Sequence, residues 1–534
     1  MANLGLDLQK GASLARQEMY GDWYRDPWGW PELTVVDAST LDAERDLHLR
    51  RGAAGEFHLQ HRPFFHLIEV PKTHLGVRPA VIQDPMSRLA YLSSALTGLS
   101  GFHGALPDWV YGWRTRDSSA MATNSSEWAA YVETLPRYEQ QGFGLQTDIT
   151  SFFASIRPDR LEQLIYDKLG KVAAASVIMD VIRAHDSLST RSGLPQRSFA
   201  SAILAHVVLQ PIDDALAAGA MDEGITAVRR WMDDISAEGD EDALFSLLFD
   251  LQERAREIGL ELNASKTRLA PVGETALNLQ LEHLKEIELP LAVAPGQGYS
   301  SEDEGEEESG FEPDMDTLLM LERSILAAPR NAHRTIAKAV LVSLTKLGEF
   351  SRHTEWRQTA PSLPHVADSL GRYLRRASED NESVRNDLGD WFKTYESSPW
   401  GRLAWVSSQY ALAFPAAHVP PAVHEVLRAW ITTSTNIQQV AIAVQRICSS
   451  SPALGRNLIR ARVDRTADPL LLRIFALGLL MAGESRGAVE AVLGRDPRNE
   501  LLTTFLANRR WEEPPVVKDF DLSVDWEDEQ GGPA

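Results

Sequence analysis

The stretch Val228-Arg-Arg-Trp-Met-Asp-Asp-Ile235 is an apolar run that closes on two adjacent carboxylates, Asp233 and Asp234. Successive side chains of a β-strand point to opposite faces, so the two acids can be presented together only where a strand bends into a tight hairpin. Ile225 to Met232, followed by Ser236-Ala-Glu-Gly-Asp240, reads as that hairpin. Alone the pair carries little weight, because 75 acidic residues in 534 place acids side by side by chance. Asp213-Asp214 reads as such a pair, on a solvated helix surface. The neighbouring blocks give Asp233 and Asp234 their meaning. Gly144-Leu-Gln-Thr-Asp148-Ile-Thr-Ser-Phe-Phe153 is a second strand ending on an acid, and Gly193-Leu-Pro-Gln196 lies between the two.

In that order the three blocks resemble motifs A, B and C of reverse transcriptases: Asp-x-x-x-Phe-Phe, Gly-Leu-Pro-Gln and an aromatic-x-Asp-Asp hairpin. Pro71-Lys72 with Arg78-Pro79 resembles the nucleotide-binding fingers, and Leu262-Asn263-Ala-Ser-Lys266-Thr267 resembles the Asn-x-x-Lys-Thr of motif D. Tyr111-Gly-Trp-Arg114 fits the same pattern. The blocks run from about residue 65 to about residue 272, and five spaced motifs in order say more than any one of them.

The resemblance implies a right-hand polymerase fingers and palm, an antiparallel sheet backed by helices. It also implies nucleotide addition, in which a 3′-hydroxyl attacks an α-phosphate and pyrophosphate leaves. Two-metal catalysis serves that reaction, and hard carboxylate oxygens suit Mg²⁺ or Mn²⁺. Asp148 and Asp233 are expected to bridge the metals and Asp234 to support them; the expected metal residues are Asp148, Ile149, Asp233 and Asp234. Lys72 and Arg78 are expected to hold the triphosphate, a point charge beside a fork-shaped guanidinium. Phe153 stands where the family packs an aromatic ring under the sugar, which implies dNTP substrates. Gln196 is expected to touch the incoming nucleotide or template, and Lys266 to neutralise or protonate the leaving pyrophosphate.

Three positions depart from the family pattern: Trp231 stands for the usual Tyr, Arg197 for a Gly, and His206 for an Asn. Arg197 adds bulk and charge where glycine would let the backbone approach nucleic acid, which argues against ordinary templated copying. The chain shows no recognisable intron-maturase, endonuclease, RNase H or integrase segment. A polymerase half with a retron- and group II intron-like palm, joined to helices, resembles the bacterial abortive-infection and defence-associated reverse transcriptases. That resemblance implies antiphage defence, homo-oligomers, and DNA synthesis that can be untemplated and primed from the protein's own side chain. Two alternatives stay open: an RNA-templated enzyme working on a partner non-coding RNA, and a non-catalytic RNA-binding scaffold with a polymerase fold.

A net charge of −22 opposes nucleic-acid binding on average, yet acidic runs at Glu302 to Asp316 and Glu512 to Glu529 carry most of the excess. Arg229-Arg230 and Arg191 with Arg197 are candidates for a local cationic groove. One cysteine, Cys448, excludes a disulfide framework or a cysteine-rich zinc site. No leader pattern and no membrane-length apolar run are evident, so a cytoplasmic protein without membrane contact is expected.

Along the chain an α+β organisation is expected. Residues 1–60 form an N-terminal cap containing the aromatic segment Asp22 to Pro31, and 61–290 the fingers and palm. An acidic disordered linker spans 291–316, an α-helical repeat domain 317–511, and an acidic tail 512–534. Asp468-Pro469 with Gly483 brackets one helix of the repeat half, whose amphipathic faces suit assembly rather than catalysis.

Overall fold

In the computed structural model the described residues are 4, 6–20, 23–37, 47–53, 56–72, 76–103, 106–117, 120–121, 124–136, 141–170, 172–188, 193–274 and 315–517. They form a mixed α+β protein whose N-terminal half holds small sheets and whose C-terminal half is helical. Of the expected linker only Met315 and Asp316 are described, and they begin the helix Met315–Ala327; residues 291–314 and the tail beyond 517 lie outside the described residues. Arg191 lies outside them too.

The hairpin Ile225–Trp231 and Asp234–Gly239 sits in a five-stranded sheet. The strand order is Arg268–Pro271, Phe143–Thr147, Asp234–Gly239, Ile225–Trp231 and Val110–Tyr111. The last pair is parallel and the others are antiparallel. Register puts Ile235 opposite Thr147, so the end of the strand that leads into Asp148 lies beside the hairpin turn. Leu244, Leu247, Leu248, Leu251 and Ala255 repeat at helical spacing along Glu241–Glu257 and pack against this sheet and the helix Phe199–Gly219.

Phe199–Gly219 is long and apolar enough to cross a membrane, contrary to the expectation that no such run exists. It is mostly buried in the protein, where helices and sheet cover it on several sides, which is why it needs no polar stripe.

A separate hairpin pairs Phe65–Pro71 with Val77–Gln83, Val70 opposite Arg78, and its turn closes through Lys72 N–H donating to the Gly76 carbonyl at 2.7 Å. Asp84 caps the helix Pro85–Thr97 that follows, accepting from Ser87 N–H at 2.9 Å, with Pro85 in the first turn.

Helices of the C-terminal half alternate between two layers. Arg334–Leu347, Ala367–Ser378, Ala404–Ala411, Ile437–Ser450 and Pro469–Met481 follow one another in one layer, and Glu382–Glu396, Pro421–Thr433 and Pro452–Val463 in the other. This is repeat-like stacking, in which each helix packs on the next helix of its own layer. Asp468 caps Pro469–Met481 and Gly483 follows its end at φ 74°.

The first layer packs on the N-terminal half, and the segment from Trp23 to Asp37 fastens the two together. Fully buried Arg473 donates to Asp26 at 2.7 and 3.1 Å and to both Glu32 oxygens, while its guanidinium lies 4.3 Å over the Trp30 ring. Trp405 Nε1 donates to the Trp23 carbonyl at 3.0 Å, and Val517 N–H to the Pro27 carbonyl at 2.9 Å. Ala404–Ala411 also packs on the strand Phe65–Pro71.

Candidate active site

The connection between Trp231 and Asp234 has two residues, Met232 and Asp233, and only Met232 takes a positive φ, 53°. A positive φ at the first of two loop positions is the type II′ pattern, usually met by glycine. Met232 therefore holds a left-handed conformation at a steric cost of about 1 kcal/mol or more. The turn carries Asp233 at its tip and starts the next strand on Asp234.

Arg230 supports this turn from below. Its side chain is fully buried, grips Asp213 through two bonds of 2.6 and 2.7 Å, and donates from Nη1 to the Met232 carbonyl at 2.9 Å. His206 completes the network: Nε2 meets the Gly112 carbonyl at 3.0 Å and Nδ1 meets Arg230 Nη2 at 3.3 Å. A carbonyl can only accept and a guanidinium only donate, so the neutral Nε2–H form of His206 satisfies both contacts. Asp213 is thus a buried ion-pair partner, not the solvated surface acid expected. Arg229 and Arg230 build no cationic groove either, since Arg229 is buried against Glu238. Both sequence readings failed for one reason: strand alternation and helix packing turn these charges inward, where each finds a counter-charge.

Trp231 is buried in an aromatic cluster with Trp128, Tyr131 and Trp113 at centroid distances of 5.0, 5.5 and 6.1 Å. A Cβ on Gly112 would sit 3.3 Å from its ring, and Gly112 has φ 78°. Packing of this kind accommodates the bulk of Trp231.

Asp148 follows the strand Phe143–Thr147 and is held by the loop after Leu262. Asn263 N–H donates to the Asp148 carbonyl at 2.7 Å, and Thr150 N–H to the Glu261 carbonyl at 2.9 Å. These bonds flank the Ile149–Leu262 bridge as in a non-hydrogen-bonded antiparallel pair, so the Ile149 carbonyl points away from Leu262. The Lys266 ammonium is ion-paired with Asp148 Oδ2. Burial works to lower the Lys266 pKa, but the bond to Asp148 and the charges of Asp234, Asp148 and Asp233 outweigh it and raise it.

Burial, then the charge of Asp148, pushes the Asp233 carboxyl up to about 6. Asp148 and Asp233 are therefore electrostatic neighbours, and Lys266 faces all three acids. Among the described residues no three His, Cys, Asp or Glu side chains converge as a ready metal cluster. What the structure brings together is two mutually repelling carboxylates with an ammonium standing beside one of them.

Lys72 and Arg78 approach from the separate hairpin. Desolvation first, then Arg78 and Lys266, lower the exposed Lys72 ammonium, while Asp148 and Asp233 act to raise it. Desolvation followed by the charge of Arg334 lowers Arg78, which Asp233 partly offsets. Phe153 is half-buried against Phe152 at 5.2 Å, and its carbonyl accepts from Leu194 N–H at 2.9 Å. Gly193 needs to be glycine: its φ is 47° and a Cβ would lie 2.2 Å from the Phe153 carbonyl oxygen. Gln196 is half-buried in the turn that follows.

Arg197 keeps the glycine-like conformation, φ 59°, and lays its guanidinium 3.7 Å from the Trp23 ring centroid. Arg78 lies 5.9 Å from the same ring, and Trp405 packs edge-on to it at 6.2 Å. Trp23 belongs to the aromatic segment read as an N-terminal cap and Arg334 lies in no motif, so their nearness to Arg197 and Arg78 was not legible; Arg197 and His206 were marked by their departure from one. No protein-family model matches the chain, and no curated protein matches it.

Proposed function

We propose that the chain is a nucleotidyltransferase of the reverse-transcriptase type, which adds dNTPs to a 3′-hydroxyl and serves antiphage defence. The observation that carries the catalytic part is the meeting of Asp148 and Asp233, from the end of one strand and the turn beside it, with Lys72 and Arg78 from the separate hairpin and Lys266 from the loop after Leu262. Chance acids on a solvated surface would not be withdrawn from solvent, as buried Asp148 and half-buried Asp233 are, nor stand beside each other with cations around them. The defence role and a homo-oligomeric state rest on the motif resemblance together with the helical half.

The residues fit a hard divalent cation. Asp233 is raised by burial first and then by the charge of Asp148, and the Lys266 ammonium stands in for a cation at Asp148. Asp148 and Asp233, with Asp234 and the Ile149 carbonyl, would hold Mg²⁺ or Mn²⁺. Bound there, the metal supplies charge stabilisation for the attacking and leaving oxygens. Lys72 and Arg78 bind and orient the triphosphate, Lys266 carries a proton beside the leaving pyrophosphate, and Phe153 packs under the sugar.

Arg197 stacked on Trp23 favours the untemplated form of the reaction, because the family's open glycine position is here filled by a cation held against an aromatic ring. Incorporation of labelled dNTPs by the full chain, with and without an added RNA or DNA template, tests the reading. Metal-dependent incorporation that needs no template is the expected result. Strict template dependence would favour the conventional enzyme, and no incorporation under either condition would favour the scaffold.

A further inference from the structure

Trp23 lies outside the blocks that place Lys72, Arg78 and Gln196, yet two guanidiniums from different segments lie over its ring. Arg197, in the turn that follows Gly193-Leu-Pro-Gln196, sits 3.7 Å from the ring centroid, in contact with the face. Arg78, in the strand Val77–Gln83, sits 5.9 Å from the same centroid. Both distances are within the range over which an indole attracts a cation. Arg78 stands opposite Val70 in the hairpin whose turn carries Lys72, so one ring is shared by the expected triphosphate hairpin and the turn of Gln196.

The helical half holds this indole in place. Trp405 meets it edge-on with centroids 6.2 Å apart, and Trp405 Nε1–H donates to the Trp23 carbonyl at 3.0 Å. The helix Ala404–Ala411, which carries Trp405, also packs on Phe65–Pro71, the strand paired with that of Arg78. A few residues along, Asp26 is gripped by Arg473, so the backbone around Trp23 is pinned to the helical half a second time. A buried ring fixed in this way is a rigid surface. An Arg side chain laid against it gives up rotamer freedom before any ligand arrives, which lowers the cost of binding.

Arg197 has φ 59°, a conformation that suits the glycine of the family pattern. A residue with a Cβ keeps it only where the surroundings favour it, and the stacked guanidinium supplies such a contact. We propose that Trp23 is a positioning residue for the nucleotide site: it orients Arg78 for the triphosphate, with Arg197 clamped on the face of its indole and Trp405 fixing its backbone. The proposal deepens the nucleotidyltransferase reading and rests on it for the identity of the ligand. The arginine at the glycine position is then a buttress of the binding site. Through Trp405 the helical half also contributes to nucleotide affinity, beyond the assembly role expected from its amphipathic faces.

Calorimetric titration of the full-length protein in Mg²⁺, with dTTP and with inorganic tripolyphosphate, tests the role. The variants are Trp23→Leu, Trp23→Phe, Arg197→Gly, Arg78→Gln and the double variant Trp23→Leu with Arg78→Gln. Removing the ring should weaken both ligands about tenfold, and Trp23→Phe, which keeps a π face, should recover most of the loss. Arg197→Gly suits the backbone, so it should fold, yet bind about threefold more weakly; it decides the matter if Trp23→Leu does not fold. Because Trp23 acts through Arg78, adding Trp23→Leu to Arg78→Gln should weaken binding by less than about twofold more. Incorporation kinetics should show the same order in KM with kcat little changed. Trp511→Leu removes another buried ring under an arginine, Arg486 at 5.3 Å, and should match wild type. Thermal unfolding checks that each variant folds.

Wild-type affinity in folded Trp23→Leu or in Arg197→Gly, full additivity in the double variant, or absence of binding by wild type would overturn the proposal. So would a folded Trp23→Phe protein that binds as weakly as Trp23→Leu. Trp23-dependent tripolyphosphate binding without any dNTP incorporation would uphold the positioning of Arg78 and remove the polymerase reading. Incorporation by wild type with an unchanged KM in folded Trp23→Leu would do the reverse.

Discussion

Arg230 donates to the Met232 carbonyl while gripping Asp213 with its other nitrogens, so one buried guanidinium joins a core helix to the turn that carries Asp233. The turn backbone is left-handed at a residue that disfavours it, and such a conformation persists only where surrounding bonds over-determine it.

Asp213→Ala should therefore destabilise the fold by about 3–5 kcal/mol, because it leaves Arg230 as a buried charge without its counter-ion. Asp214→Ala, one position along on the exposed side of the helix, should change stability by only about 0.5 kcal/mol or less. Chemical denaturation of the two variants measures the contrast, and equal effects would contradict the buried network.

Met232→Val should cost about 1–2 kcal/mol, since a β-branched side chain tolerates a positive φ poorly, whereas Met232→Gly relieves that strain but deletes a buried side chain, for a net loss of about 1–3 kcal/mol. Gly193→Ala should destabilise more than Met232→Val, because strain at φ 47° adds to a Cβ placed 2.2 Å from a backbone oxygen. Urea midpoints give the order; a Gly193→Ala protein as stable as wild type would show that the approach to Phe153 is looser than described.

Asp233 gives the protein a pH signature. Its folded pKa is raised from 3.8 to about 6, so the unfolded chain loses this proton first as pH rises. The resulting stability is fully present below the unfolded pKa, declines between about pH 4 and about pH 6, and is gone above. Asp233→Asn removes the effect. In chelator, the variant's advantage in thermal midpoint over wild type should grow from small near pH 4 to a plateau above pH 6. A difference independent of pH would contradict the burial and like-charge origin of the shift.

Phe153→Ala should let ribonucleotides compete by opening space beneath the sugar. The ratio of kcat/KM for rNTP and dNTP reports it, and an unchanged ratio with normal dNTP activity would make Phe153 a packing residue.

Local chemistry that repeats in sequence was legible. The Asp233 hairpin, the strand before Asp148 and the helix that Asp468 caps and Gly483 follows come from alternation, helical spacing and capping. Long-range pairing was not. Asp213 looked solvated because its partner Arg230 lies 17 residues away on a strand, and nothing in the helix itself marks the face that strand covers. Phe199–Gly219 hides the same lesson, since an all-apolar helix reads alike whether protein or lipid surrounds it. Arg473 with Asp26 and Glu32 joins positions more than 400 residues apart, so the docking of the two halves has no local signal. The nearness of Asp148 to the turn that carries Asp233 was readable from motif order, but the influence of Arg334 on Arg78 was not.

The most direct test of the catalytic reading is metal-dependent dNTP incorporation by the double variant Asp233→Ala with Asp234→Ala, compared with wild type and paired with a thermal melt. Removing two acids from a crowded site relieves repulsion, so the apo variant should melt at or slightly above the wild-type temperature while incorporation disappears. Incorporation near the wild-type rate by a folded double variant would contradict the account and place the metal chemistry elsewhere in the chain.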